Sequence, residues 1–138
     1  MRDTIETVLT NDATLAATLT GGVHASTEIT RQLTAAAFDA NGEIKPCALV
    51  TVENQAQHGP FTGGDALSAR TYVVIYLYQR TGYGSIDSAL ARLRTLLHRQ
   101  KLGTGTWSID WAGDSGDLVD EGLACSMRFS RYVVTRLV

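Results

Sequence analysis

The residue types that most often carry chemistry are few in this sequence and form no recognisable arrangement. The three histidines, His24, His58 and His98, are not spaced as metal ligands, and the two cysteines, Cys47 and Cys125, form no CxxC pair. Both cysteines lie in apolar, strand-like runs, which predicts buried and reduced thiols. We therefore expect no metal site and no cofactor.

Glycine-rich and serine-containing stretches also lack the spacing of known catalytic motifs. The glycines at 63–64 and 82–84 give neither GxGxxG nor GxxxxGK[ST], the loops that bind nucleotide phosphates. The Gly-Asp-Ser-Gly at 113–116 is not the GxSxG turn that presents a serine nucleophile. The carboxylates at 114–121 lack the ligand order of a calcium loop. The sequence therefore predicts a domain without catalytic chemistry.

Length and composition are those of one ordinary globular domain. The chain has 138 residues, of which 44% are hydrophobic and 19% are charged, too apolar a mixture for a disordered chain. Its longest apolar run, residues 72–78, is far shorter than the roughly 20 residues of a membrane-spanning helix. The first ten residues include acidic side chains and no apolar signal-peptide core. We expect a single domain over residues 1–138, made in the cytoplasm, with no membrane partner.

Charge is distributed unevenly along the chain. The net charge of −2 argues against a dedicated nucleic-acid binder. Residues 1–69 carry three basic and eight acidic side chains, whereas residues 70–138 carry nine and six. The second half groups its charges into a basic cluster, Arg92, Arg94, Arg99 and Lys101, and an acidic loop, Asp114, Asp117, Asp120 and Glu121. These groups are either solvated faces, or a basic patch of one copy meets an acidic patch of the next in a head-to-tail ring.

Hydrophobic periodicity predicts the elements that position these residues. Residues 3–19 follow a helical pattern, continuous or broken near Asn11 and Asp12. A second helix begins at Ser85 as N-cap and ends at Gly103. Alternation predicts strands at 47–53, 70–80, 106–111 and 124–138, with a weak strand within 23–30. This order predicts an α+β fold, a mainly antiparallel sheet of about four strands with two helices packed on one face.

Two features predict contact with a partner protein. Residues 54–68 contain three glycines and a proline and form a long loop or β-hairpin arm, either functional or a simple excursion. The strand at 70–80 is apolar on both sides, so its tyrosine side faces either another subunit or the chain's own loops. The candidate contact residues are His58, Phe61, Tyr72, Tyr76, Tyr78, Arg92, Arg94 and Arg99.

Several short strings occur together along the chain. They are Leu19-Thr20-Gly21-Gly22-Val23, Phe38-Asp39, Gly42-Glu43-Ile44-Lys45-Pro46, the Val50 strand, Tyr83-Gly84-Ser85-Ile86-Asp87, Arg92-Leu93 and Leu96-Leu97-His98. In these strings, in size and in element order the chain resembles the tail-terminator, or tail-completion, proteins of long-tailed bacteriophages.

The resemblance implies a structural protein of the virion. Its copies would form a hexameric ring that caps the tail tube, ends polymerisation of the tube and joins it to the head. Its partners would be itself, the tail tube protein and a head-completion or connector protein, with DNA only passing through the channel. Asp114, Asp117, Asp120 and Glu121 would then line the channel, where their carboxylates repel phosphate.

Alternatives from the same class and from other classes remain open. The nearest is another neck or head-completion adaptor of the virion. A small enzyme or ligand-binding α+β domain would instead have a concave pocket with convergent polar groups. A DNA-binding regulator is disfavoured by the net charge and by the lack of a helix-turn-helix pattern.

Overall fold

A computed structural model describes residues 1–57, 68–102 and 107–137 and shows in them an α+β fold with one six-stranded sheet and three α-helices. In chain order the elements are α1 (Arg2–Thr10), α2 (Ala13–Thr18), β1 (Val23–His24), β2 (Cys47–Gln57), β3 (Ser68–Gln79), α3 (Gly84–Leu97), β4 (Trp107–Asp114), β5 (Leu118–Asp120) and β6 (Cys125–Leu137). A 3-10 turn, Ala35–Ala37, lies between β1 and β2.

The strands β3 and β6 occupy the centre of the sheet. The spatial order is β1-β2-β3-β6-β4, and β5 also pairs with β6. The strand β1 runs parallel to β2, and the other neighbouring pairs are antiparallel. The mainly antiparallel sheet is thus confirmed. The estimate of about four strands did not count β1, which the sequence predicts as a weak strand within 23–30, and it omitted β5. The strand β5 lies in the stretch that the sequence predicted to be only an acidic loop.

The helices pack on one face of the sheet, as predicted, but there are three and not two, because the N-terminal helical segment is divided into α1 and α2. They bury an aliphatic core against the sheet, whose largest fully buried members include Ile5, Leu9, Leu15, Ile75, Leu77, Ile86, Leu93, Leu97, Ile109 and Tyr132. Apolar residues recur every three or four positions along α3, so that its buried side chains form one stripe. Burial of this stripe is the main reason that the helix is stable in place.

The second face of the sheet is only partly covered. The segment between β1 and β2 packs Ile29, Ala37 and Ile44 over this face, next to the thiols of Cys47 and Cys125. Both cysteines are buried, as predicted, and burial raises the pKa of Cys47 to about 12 and that of Cys125 to about 11. The thiols therefore stay protonated and unreactive at neutral pH.

The caps of α3 differ from the prediction. The side-chain oxygen of Gln79, at the end of β3, accepts hydrogen bonds from the backbone N–H groups of Ser85 (2.9 Å) and Ile86 (3.3 Å). Ser85 is therefore inside the helix and is not its N-cap. The helix ends at Leu97, well before Gly103, because His98 is extended and Arg99 takes a positive φ of 58°.

The N-terminal helical segment is broken, and one ion pair holds the second piece in place. Asp12 caps α2 by accepting a hydrogen bond from the backbone N–H of Leu15 (2.9 Å). The same carboxylate accepts two hydrogen bonds from the guanidinium of Arg92 on α3, at 2.9 and 2.7 Å. This bidentate pair fixes α2 against α3 with a geometry that lysine does not reproduce.

We expect this pair to make stability fall in acid. Hydrogen bonds from Arg92 and then Leu15 lower the pKa of Asp12 to about 2, below its ordinary value of 3.8. Its contribution to stability is therefore present above about pH 4 and is lost as the pH falls towards 2. Asp12→Asn keeps a capping side chain and removes the charge, so it should lower the melting temperature at pH 7 and approach the wild type near pH 2.

The measurement is thermal unfolding followed by circular dichroism from pH 2 to pH 7. The control is Glu121→Gln, a change at an exposed carboxylate, which should stay close to the wild type throughout. A constant difference between Asp12→Asn and the wild type over this range would contradict the assignment.

Candidate interaction surfaces

The described residues offer several surfaces for contact with other molecules. In residues 1–57, 68–102 and 107–137 no three histidine, cysteine or acidic side chains are grouped to hold a metal ion. None of the helices described has the length and apolarity needed to span a membrane. Two predicted contact residues, His58 and Phe61, lie outside the described residues.

An aromatic patch occupies the open part of the second face. Tyr76 and Phe129, on neighbouring strands, pack edge to face with ring centroids 5.8 Å apart. The guanidinium of Arg131 lies 5.8 Å from the ring centroid of Tyr72 and 6.0 Å from that of Phe129. Glu53 on β2 lies 3.5 Å from Arg131 and compensates its charge. This arrangement places the predicted residues Tyr72 and Tyr76 together on one partly exposed surface.

Tyr78, another predicted contact residue, does not belong to the exposed part of this face. Its side chain is only 5% exposed, because Ile29 and Ile44 cover this end of the strand. Burial raises the pKa of Tyr78, and the nearby carboxylate of Asp120 raises it further. Tyr78 is therefore a core residue that anchors the covering segment.

The three predicted arginines, two on α3 and one just after it, have separate roles. Arg92 is engaged by Asp12 and is not a free basic group. Arg94 stacks over Trp111, with the guanidinium 5.1 Å from the ring centroid, and lies 3.6 Å from Asp114. Arg99, whose side chain is exposed, donates its backbone N–H to the carbonyl of Ile109 at 2.8 Å, which places it beside β4.

These contacts define a second surface, the tryptophan patch, which consists of Trp111, Arg94 and Arg99. The indole of Trp111 is 38% exposed, large for an aromatic residue on a strand. Its position is fixed, because its ring N–H donates to Asp114 at 3.0 Å and its backbone N–H donates to Nδ1 of His98 at 2.9 Å. The patch is thus an indole held under the guanidinium of Arg94, and the backbone of Arg99 bonds to the same strand.

The four predicted channel carboxylates do not form one solvated loop. Asp114 ends β4 and is 13% exposed at its side chain, where it accepts a hydrogen bond of 2.6 Å from the buried hydroxyl of Ser130. Asp120 ends β5 and accepts the backbone N–H of Leu123 at 2.8 Å. Among the four, Asp117 and Glu121 are exposed, whereas Asp114 and Asp120 are partly buried. Asp114 therefore has a structural role within the chain, and its place on a channel wall stays a prediction.

A groove of about 530 Å³ lies on the second face, beside the aromatic patch. It runs between residues 27–29, the strands β2 and β3, and the turn at 120–123. Its floor includes Leu49 and Tyr76, and its carboxylates are those of Glu28 and Asp120. No arginine or lysine lines the groove among the residues described. Sequence reasoning missed it, because its walls come from stretches far apart in the chain.

A chain of known structure shares this fold over nearly the whole length of both chains. Eleven chains of known structure match, and one belongs to a structure described as the virion of a native gene transfer agent particle. It superposes with a TM-score of 0.71 over 99% of this chain and 93% of the other, at 18% sequence identity. No protein-family model and no curated protein sequence matches. At this identity the likeness establishes a common fold.

We predict that Asp114 is required for stability, whereas Asp117 is not. Asp114→Ala leaves the buried hydroxyl of Ser130 and the indole N–H of Trp111 without their acceptor, which should lower the free energy of unfolding by about 1–3 kcal/mol. Asp117→Ala removes an exposed carboxylate and should change the free energy of unfolding by less than about 0.5 kcal/mol. Urea unfolding followed by tryptophan fluorescence measures both, and equal effects would contradict the difference in burial.

Proposed function

We propose that this chain is a structural protein of a phage-like virion and that its copies form a ring, of six subunits, that caps the tail tube. The observation that carries the proposal is the near-complete superposition on a chain of a gene transfer agent virion. Because almost all of both chains is included, the comparison concerns the whole domain and not a shared fragment. The resemblance of the sequence strings to tail-terminator proteins points to the same kind of particle.

The distribution of surfaces supports a ring. A closed ring requires each subunit to present two different surfaces, one to each neighbour. The tryptophan patch lies beside α3 on the helix-covered face, whereas the aromatic patch and the groove lie on the opposite face of the sheet. The chain therefore carries separate candidate surfaces for two neighbours.

The remaining roles follow from a position at the end of the tube. One rim of the ring would contact the tail tube protein and stop its polymerisation, and the other would contact a head-completion or connector protein. DNA would pass through the channel without being bound, and Asp117 and Glu121 remain candidates for the channel wall. The chain would act through its contacts, not as an enzyme, with the virion as its location after assembly in the host cytoplasm.

Electron microscopy of the purified chain, alone and with its tube protein, tests the proposal. We expect sixfold rings, or tubes that are capped and limited in length. Rings that leave tube length unchanged would favour the neck or head-completion adaptor. Monomers that neither form rings nor bind tubes would overturn the proposal in favour of an enzyme or ligand-binding domain.

The hairpin formed by β2 and β3 is the proposed arm towards a neighbour or the tube. Its strands extend into the predicted loop, since Gln57 pairs with Ala69. Replacing residues 58–67 by Thr-Asn-Gly closes the hairpin with a two-residue turn, in which the new threonine faces Ser68. We expect a folded protein, with its melting temperature nearly unchanged, that no longer forms rings or caps tubes.

Electron microscopy and thermal unfolding of the same sample measure the effect of this shortened hairpin. A ten-residue Gly-Ser replacement of the same segment is the matched control, because it keeps the length and removes the side chains. Normal rings and normal tube capping by the Thr-Asn-Gly variant would exclude a role for the arm.

A further inference from the structure

We propose that the tryptophan patch of one copy docks into the groove of the next copy, so that Trp111 is the central anchor of the ring contact. This inference rests on the proposed ring and names the two surfaces that meet. The patch supplies an aromatic ring, the guanidinium of Arg94 over that ring and the exposed side chain of Arg99, and the groove supplies the carboxylates of Glu28 and Asp120.

The tryptophan patch has the properties of a binding anchor. Trp111 is partly exposed, and its ring is held by Asp114 below and by Arg94 across its face. Little side-chain freedom is therefore lost when a partner covers it. Tryptophan and arginine are among the residue types most enriched where truncation weakens binding strongly.

The groove has the complementary properties. Its floor carries Leu49 and Tyr76, which offer apolar and aromatic contact to an inserted ring. The carboxylate of Glu28 is exposed, and that of Asp120 lies on the opposite wall, held by the turn that it caps. The described residues that line the groove include two carboxylates and no basic side chain, so the groove favours binding of a cationic group.

The occupant is a second copy because the two complementary surfaces belong to one chain and cannot meet within it. The patch lies beside α3, on the helix-covered face at the β4 edge, whereas the groove lies over β2 and β3 on the opposite face. Such a contact is heterologous: each copy uses its patch towards one neighbour and its groove towards the other. Repetition of this contact closes a ring when the rotation between copies permits.

A pair of cysteine variants tests the contact directly. The wild-type cysteines are buried with raised thiol pKa values, so they do not compete. Ala112→Cys protein, changed at the exposed position next to Trp111, mixed with Thr27→Cys protein, changed at an exposed residue of the groove, keeps the proposed contact residues. Together with the tube protein and a mild oxidant, this mixture should give a disulfide-linked dimer on a non-reducing gel. Ala112→Cys mixed with Arg2→Cys, an exposed position on α1, should not.

Charge reversal tests the energetics. Arg99→Glu and Glu28→Lys should each weaken ring association by about tenfold or more, measured by analytical ultracentrifugation and by counting rings in micrographs. The double variant should recover most of the loss, because the two charges are exchanged. Arg2→Glu, which changes the net charge by the same amount as Arg99→Glu, should leave association unchanged, and circular dichroism verifies that all variants are folded.

Each result bears on a different claim. Rings of normal stability in both single variants, or no disulfide between the cysteine variants, would overturn this docking mode and leave the proposed function standing. Variants that form normal rings but no longer bind tubes would also overturn it, since the groove would then receive the tube protein. Failure of the wild-type chain to form rings or cap tubes would instead overturn the proposed function itself.

Discussion

The strand β3 is apolar on both of its sides, and this one constraint determines how the rest of the chain is arranged. Val73, Ile75 and Leu77 must be covered on one face, while Val74 and the tyrosines must be covered on the other. The three helices together cover the first face. The segment between β1 and β2 covers only the Tyr78 end of the second, and the aromatic patch and the groove are what it leaves open. Two of the candidate interaction surfaces, the aromatic patch and the groove, are therefore the part of this face that the described residues leave open.

Polar contacts fix how the elements of this packing are oriented. The pairing of Asp12 with Arg92 fixes α2 against α3, and the hydrogen bonds of Gln79 fix the end of β3 against the start of α3. Arg131 and Arg94 lie over aromatic rings with a carboxylate near each. These charges orient large side chains at the surface, which is what recognition between proteins requires.

Much of the fold could be predicted because it depends on local patterns. The apolar stripe of α3, the alternation of side chains along β3 and the cap at Asp12 each depend on residues that are close together in the sequence. Asp114 could not be placed, because a bulge between Trp111 and Gly113 breaks the alternation of β4 and brings Trp111 and Asp114 to one face although they are three residues apart. The groove could not be predicted either, because its walls come from segments that are distant in the sequence and meet only in the folded chain.

The position of β6 has a consequence for how the chain folds as it is made. This strand is the last element, yet it lies between β3 and β4. Until it emerges from the ribosome, β4 has no neighbour in the sheet, and one edge of β3 remains open. The pairing of β3 with β6 joins residues some sixty positions apart, which makes it a slow, long-range step. The nascent chain therefore passes through a stage with exposed strand edges, in which contact with another copy carries a risk of mispairing.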